Sequence, residues 1–300
     1  DLHSFPTRRS SDLSFEGNII IYSDGDLKTV TASKVPMKSI GFSKATKMTS
    51  LSLTQVGLKT VDVTPLTDLT DLTFSQNPVT SMNLTKNTKL TTLKMVNTNA
   101  NVGASAMKSI DLSKNADLKT LWIYGKVGLE GALENISLSS NKKLEQVYLQ
   151  FNKLKSMTLG DNNITMLNVQ GNQLKSLDFT KLTKATDVYA QDNQLEGTAD
   201  LSKNTVLKRV RVDNNKLAGL KVGDVSDQLD FYNNNMNFAT MPELPSGMVE
   251  KVAQFKYAPQ YPMEVKAGEK SYVKNAVADK VVKGVQYEAK IGRASCRERV

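Results

Sequence analysis

The sequence predicts a β-rich repeat solenoid: a stack of short parallel strands with little helix. Three observations predict it. Stepping by 21 residues from Leu27 reaches Met48, Leu69 and Leu90, and each opens the same pattern, L-x-x-L-x-φ-x-x-N-x-L, where φ is apolar. Inside that pattern the apolar fourth and sixth places alternate with polar ones, the period-two signature of a half-buried strand. The second half of each unit is short and rich in Thr, Ser and Asn, which favours brief strands and turns over helix.

The elements follow in order. Residues 17–23 (GNIIIYS) form an apolar run that fits a starting strand or cap. Units then open at Leu27, Met48, Leu69, Leu90, Leu118, Leu144, Ile164, Ala185, Leu207 and, more weakly, Ser226, about ten over 27–240. The units at 90–117 and 118–143 are stretched by insertions near 99–106 and 126–135. One unit cannot bury its apolar edge alone; stacking units about 4.8 Å apart builds one parallel sheet over one continuous core. The ninth place is Asn at Asn77, Asn152, Asn172, Asn193, Asn215 and Asn234. An inward amide there can hydrogen-bond the backbone of adjacent turns and set their register. Asn87, Asn115, Asn141, Asn162 and Asn204 are read the same way in the second turn, whereas Val35 and Val56 make the early units less regular.

The two ends read differently. Residues 1–13 (DLHSFPTRRSSDL) and 291–300 (IGRASCRERV) resemble translated sequencing-adapter DNA. One DNA string encodes the first from His3, and its reverse complement in another frame encodes Ile291 to Val300. Both are expected to be scars and are set aside. His3, Cys296 and five of the seven Arg go with them, together with three acidic residues, so the net charge of +9 becomes +7. The remaining stretch, about 14–290, is expected to be a fragment, such as a metagenomic assembly yields, open at both ends.

Met82-Asn83-Leu84-Thr85-Lys86-Asn87-Thr88-Lys89-Leu90 and Ile110-Asp111-Leu112-Ser113-Lys114-Asn115 resemble the second halves of leucine-rich repeats in surface and secreted proteins of Bacteroidetes. The resemblance implies a right-handed leucine-rich-repeat arc with a parallel β-sheet on its concave face. It implies an extracellular or cell-surface setting, a role in adhesion or other protein binding, and an export signal and anchor outside this stretch. It supports fold far more than function. Beyond residue 240, MPELPSG (241–247) and YAPQYP (257–262) make 241–262 a linker. Residues 263–290 resemble the start of an immunoglobulin-like β domain, here truncated.

Composition excludes several function classes. No run approaches eighteen apolar residues, so no membrane insertion is expected. With no His or Cys between the ends, Ser-His-Asp and Cys-His catalysis and Cys/His zinc sites are excluded, and neither metal nor cofactor is expected. MPELPSG resembles the LPxLP of bacterial ubiquitin ligases that carry such repeats, but only once and without a catalytic Cys. A carboxylate pair such as Asp187 with Asp213 is weighed for hydrolysis and set aside, because exposed acids on a repeat surface are solvated. GDNN (160–163) is an acidic turn that does not recur as a calcium ladder. The Lys are spread along the S-K-N turns (Lys44, Lys86, Lys114, Lys203) rather than clustered, so no nucleic-acid partner is expected.

The third, fifth, seventh and eighth places of each unit should form the exposed, concave face. In the early units they are Ser, Thr and Asp. Later they become Trp122, Tyr124, Tyr148, Phe151, Tyr189, Arg209, Arg211, Asp213 and Tyr232, which gathers the only Trp and both internal Arg on one predicted face. Trp, Tyr and Arg dominate binding hot spots. These nine residues are the candidate ligand-binding site. Three roles stay open: a face for a protein or peptide ligand, a glycan-binding adhesin face in which Trp122, Tyr124 and Tyr148 stack on sugar rings, or a structural spacer whose aromatics only stabilise the sheet.

Overall fold

The computed structural model describes residues 27–42, 45–237, 240–242, 254–256, 281–282 and 285–286. The apolar run 17–23, the terminal segments 1–13 and 291–300, and most of the linker and of 263–290 lie outside the described residues. The chain divides into two compact units, residues 1–163 and 164–300.

In the first unit, β1 (Thr29–Ser33), β2 (Ser50–Thr54), β3 (Asp71–Thr73), β4 (Thr92–Lys94), β5 (Thr120–Trp122), β6 (Asn135–Ser137), β7 (Gln146–Tyr148) and β8 (Ser156–Thr158) follow in order. β1-β2-β3-β4-β5-β7 pair side by side, every neighbour parallel. β6 pairs β8 in parallel within the second halves of the repeats. The second unit holds β9 (Met166–Asn168), β10 (Asp187–Tyr189), β11 (Glu196–Leu201), β12 (Arg209–Arg211), β13 (Lys216–Val222), β14 (Gln228–Asp230), β15 (Gln254–Lys256), β16 (Val281–Val282) and β17 (Val285–Gln286). Here β9-β10-β12-β14-β15 run parallel, and β11 pairs β13 in parallel with a register shift between Gly197 and Thr198. β16 and β17 make a short antiparallel pair. Two 3-10 turns, Ala100–Val102 and Phe179–Lys181, are the only helical elements among the described residues.

Each main-sheet strand up to β14 starts two residues after an expected unit opening. The reason is the buried alternation: Leu51, Leu72, Leu93, Leu121 and Val147 are fully buried, while their chain neighbours point outward. Strand pairing also continues past the expected end of the repeats, because β15 lies within the segment read as linker and pairs β14. The insertions take two forms. Asn99 caps the 3-10 turn at 100–102, its side chain accepting from the Asn101 N–H. Residues 125–131 fold into a hairpin closed by a Lys126–Leu129 bridge.

Two ladders of buried Asn join the turns. In the first, Asn77 Oδ1 accepts the Val56 and Gly57 N–H groups, and its Nδ2 donates to the Leu53 and Ser75 carbonyls. Asn215 does likewise: Oδ1 accepts from Leu195 N and Nδ2 donates to Ala190 O and Val212 O. Asn234 repeats the pattern with Leu217 N and Val212 O. Asn97, displaced by the stretched unit and missed in the sequence, donates to Asn77 O and Gly103 O. In the second ladder, Asn115 donates to Asn87 O, Asn141 to Asn115 O and Asn162 to Asn141 O, at 2.8, 2.8 and 2.7 Å. Because each of these amides faces two carbonyls, it is the NH2 that must point into the ladder. Val56, lacking an amide, is buried and is served instead by Asn77.

The residue before the first-ladder position adopts a left-handed backbone in turn after turn. Lys34, Gln55, Gln76, Phe151, Asp192, Asn214 and Asn233 have φ between 52° and 58°. A β-strand continued through that point would carry the next side chain outward; the left-handed step turns the ladder residue into the core. It costs a non-Gly residue about 1–2 kcal/mol, offset at Gln76, Asn214 and Asn233 by the following Asn amide, which satisfies several buried backbone groups.

The opposite edge uses Asx turns. Asp62, Asp111 and Asp200 accept from the backbone N–H two residues on, at Thr64, Ser113 and Ser202. These side-chain and backbone hydrogen bonds hold all three carboxyls below their ordinary range. A depressed folded pKa contributes stability above the ordinary carboxylate value that is lost as pH falls through the depressed one.

Two outcomes are expected. Asn215→Ala strands Leu195 N and takes one donor from the Ala190, Val212 and Asp213 carbonyls, which keep Asn193, Asn234 and Asp192 N; it should lower unfolding free energy by about 1–3 kcal/mol, read from urea denaturation. The Asp62→Asn/Asp200→Asn double variant keeps the turn acceptors but cannot titrate. Its urea midpoint should fall less than the parent's as pH drops below the ordinary carboxylate range.

Candidate functional site

The outward face of the first unit is built by strand register. Lys94, Trp122 and Tyr148 occupy the same place on β4, β5 and β7 and so stand in one row. The Lys94 ammonium lies 4.2 Å from the Trp122 ring centroid. Tyr148 meets the Trp122 ring edge-on, with centroids 5.4 Å apart and planes at 67°. Tyr124, just past β5, lies 6.3 Å from Tyr148 at 44°. All three aromatics are half-buried. The structure therefore brings three of the nine sequence-predicted residues together, and it adds Lys94. The sequence signal for Lys94 was its fifth place in the unit opening at Leu90, the column that holds Trp122.

Phe151 stands at one of the left-handed positions, and the 125–131 hairpin is fastened there. Gly125 N donates to Gln150 O and Gly131 N to Phe151 O. A Cβ at Gly125 would come within 2.3 Å of Leu129 O, and one at Gly131 within 2.1 Å of Asn152 Oδ1, so only glycine permits this approach. Gly128, at φ 77°, turns the tip, where Glu130 accepts its N–H. That backbone hydrogen bond is the first cause of the lowered Glu130 pKa. Val127 at the tip is 74% exposed.

The second unit carries a polar lattice. In its rows Asp187 stands beside Arg209 and Gln228, and Tyr189 beside Arg211 and Asp230. Arg209 Nη1 donates to Asp187 Oδ1 at 2.6 Å, and its Nη2 lies 3.4 Å from Asp227. The Asp187 hydrogen bond and charge raise the Arg209 pKa. Arg211 grips Asp213 through Nε and Nη2, at 3.1 and 3.0 Å, and reaches Asp230 at 3.4 Å. Burial pulls the Arg211 pKa down, but Asp213, Asp230 and Tyr232 together outweigh it and the net shift is upward. Tyr232 is raised by burial and by the adjacent Asp213 charge. Below this, Gln170 donates to Asp192, Asn214 donates to Asp192, and Asn233 donates to Asn214.

One sequence expectation is corrected here. Asp213 was placed on the exposed face, but its side chain is fully buried. Asp187 and Asp230 are also buried rather than solvated. The physical reason is the Arg column: a guanidinium with two donors aimed at one carboxylate lets that carboxylate leave water. Asp213 thus positions Arg211 instead of meeting a ligand, and Asp187 and Asp213 serve different Arg rather than forming an acid–base pair. Among the described residues, no group of three or more His, Cys, Asp or Glu is placed to hold a metal ion, and no helix is long and apolar enough to cross a membrane.

No protein-family model and no curated protein matches the chain. Solved structures do match it. The functional domain of InlJ from Listeria monocytogenes, which includes a cysteine ladder, superposes with a TM-score of 0.54 at 17% identity, over 80% of this chain and 60% of that one. The leucine-rich-repeat domain of APL1 gives 0.58 at 15% identity, over 80% and 64%. Toll in the Toll–Spatzle complex of Drosophila gives 0.54 at 18%, over 71% and 31%. The fold is a leucine-rich-repeat solenoid. The chain spans less than two thirds of the length of each of these three structures, and identities this low speak for fold alone.

Burial lifts the Asp213 carboxyl above its ordinary value, against the opposing Arg211 hydrogen bond. With the folded pKa raised, the folded state binds the extra proton, so stability falls as pH rises from the ordinary carboxylate range through the raised value. Asp213→Asn should lack that slope. Across this window the parent's urea midpoint should fall relative to that of Asp213→Asn as pH rises, and the difference between the two should be constant on either side of it.

Proposed function

We propose that this chain is a non-catalytic binding module that recognises a protein or peptide ligand on the outward face of its parallel strands, as part of a bacterial surface or secreted protein. The observation that carries the reading is the Trp122–Tyr124–Tyr148 cluster, which keeps three aromatics half-exposed in fixed mutual geometry on a strand-built surface. Aromatic and Arg side chains held in place lose little entropy on binding. Phe151 is counted with this cluster; Tyr189, Arg209, Arg211 and Tyr232 make a candidate patch of their own on the second unit, where Asp213 holds Arg211. Toll, solved in complex with Spatzle, is a protein of this fold with a bound partner, and InlJ is a bacterial one. No cofactor, nucleic acid or membrane insertion is part of the proposal.

A glycan is the second reading. Lys94 over the Trp122 ring and Tyr148 at its side leave less open ring surface for stacking on a sugar, which favours the peptide. A spacer that binds nothing is the third reading, supported by the same row contacts acting as cross-strand stabilisation.

The test uses the full chain beside a Trp122→Ala/Tyr148→Ala/Arg211→Ala variant on a glycan array and in pull-downs from bacterial and host surface extracts, with captured material identified by mass spectrometry. Melting curves of both are compared first. Capture of a defined protein by the parent and its loss in an equally stable variant is the expected result. Capture of sugars instead selects the glycan reading, and identical behaviour of both proteins selects the spacer.

A further inference from the structure

Resting on the peptide-binding reading, we infer that the first unit reads its ligand through the peptide main chain. The Trp122 indole N–H donates to a ligand carbonyl, and the Gln150 side-chain carbonyl accepts a ligand N–H.

Two hydrogen bonds are left unmade on this face. Trp122 Nε1 and Gln150 Oε1 are both shut off from water, and neither has a hydrogen-bond partner. Native structures rarely leave such groups unpaired, because the lost hydration is not repaid. Among the described residues Trp122 Nε1 is the only buried side-chain donor without an acceptor; every other such atom is an oxygen. In the first unit the remaining oxygens are those of Asn87, Asn97, Asn115 and Asn141, buried along the ladders. The outward face there is thus left with one donor and one acceptor.

Strand register puts both groups on one patch. Trp122 stands beside Tyr148 across β5 and β7. The pairing runs on past the strands, since Ile123 N donates to Tyr148 O and Gly125 N to Gln150 O. Two places on, Tyr124 therefore stands beside Gln150. The four residues occupy the corners of a rectangle, about 4.8 Å across the strands and about 6.6 Å along them. Trp122 meets Tyr148 along one side, and Tyr124 meets Tyr148 along a diagonal. Trp122 and Gln150 are the ends of the other diagonal. An extended peptide fits this arrangement. Each of its residues turns its N–H and C=O to the same side, and along that side they recur about every 6.6 Å, the separation of the two rows. A single hydroxyl donates and accepts at one atom and cannot occupy both corners. The half-buried Tyr124 and Tyr148 between them offer the segment apolar contact. Trp122 and Gln150 are themselves half-buried, so a ligand reaches the two covered atoms by rotamer changes in the cluster, a common adjustment at interfaces.

The probe is a peptide enriched from a displayed library of random dodecapeptides against the immobilised full chain, and chosen because Trp122→Ala/Tyr148→Ala abolishes its binding. It is remade with each amide replaced in turn by an ester, which removes one N–H at a time. At one position the ester should weaken binding to the parent about tenfold. Gln150→Met keeps the side-chain length without the amide, and should lose most of that discrimination. In the absence of peptide its urea midpoint should equal or exceed the parent's, because the change deletes a buried polar group that has no partner. Trp122 is the only Trp of the chain, so one indole N–H signal reports on it, and that signal should move downfield as the peptide supplies an acceptor. A lowered midpoint in Gln150→Met, an ester penalty that survives in that variant, or an indole signal that stays in place overturns the inference. If peptides are enriched but none depends on Trp122 and Tyr148, or no ester position matters, the main-chain assignment fails while the peptide-binding reading stands. If the parent enriches no peptide, both fail.

Discussion

The Asn ladders are the constraint on which the rest depends. Strands of three residues cannot hold a sheet in register by themselves, since each contributes only a few backbone hydrogen bonds. Every turn must also reverse the chain inside the core, where bare N–H and C=O groups would cost about 1–3 kcal/mol each. Asn77, Asn215 and Asn234 solve both problems, each accepting from one turn and donating to carbonyls of its own and the neighbouring turn. The second ladder chains Asn87, Asn115, Asn141 and Asn162 through their own carbonyls. The left-handed residue in front of the first ladder is the backbone consequence: it turns an amide inward at Asn77, Asn152, Asn193, Asn215 and Asn234, and the same step recurs before Val35 and Val56.

That internal scaffold frees the outward face. From β2 to β14 the core side of the main-sheet strands is committed to Leu or Val, and most ladder places to Asn, while the third, fifth and seventh places answer only to their lateral neighbours. In the first unit those neighbours make a cation–aromatic row, and in the second an Arg–Asp lattice. The two patches differ in chemistry although the same backbone geometry builds both. Binding surfaces on this fold are therefore a matter of which residues share a row, which strand register decides.

The stretched units show how an insertion can be absorbed without breaking the stack. Ladder contacts across them span 28 and 26 residues instead of 21, and still reach the same carbonyl positions. The extra length is spent on a 3-10 turn in one case and on the glycine-based hairpin in the other. The hairpin begins directly after Tyr124 and is bonded to the Gln150 and Phe151 backbone, so the insertion that looks like a surface irregularity in the sequence is anchored to the neighbouring turn.

The sequence by itself determined the repeat, the strand positions and the inward Asn, because these follow from periodicity: Leu72 or Asn215 must be buried whatever surrounds it. It also placed Trp122, Tyr148 and Arg211 on one side of their strands, because side chains alternate. Only the tertiary structure decided which of them meet and how deeply each lies. Lys94 comes to Trp122 from the preceding unit, and Asp213 sinks beneath Arg211. The left-handed step at Phe151 and the seat of the 125–131 hairpin were likewise invisible. Lateral contacts join residues more than twenty positions apart, and the depth of a carboxylate depends on whether a guanidinium in its own or the next strand can follow it out of water. A one-dimensional pattern carries neither.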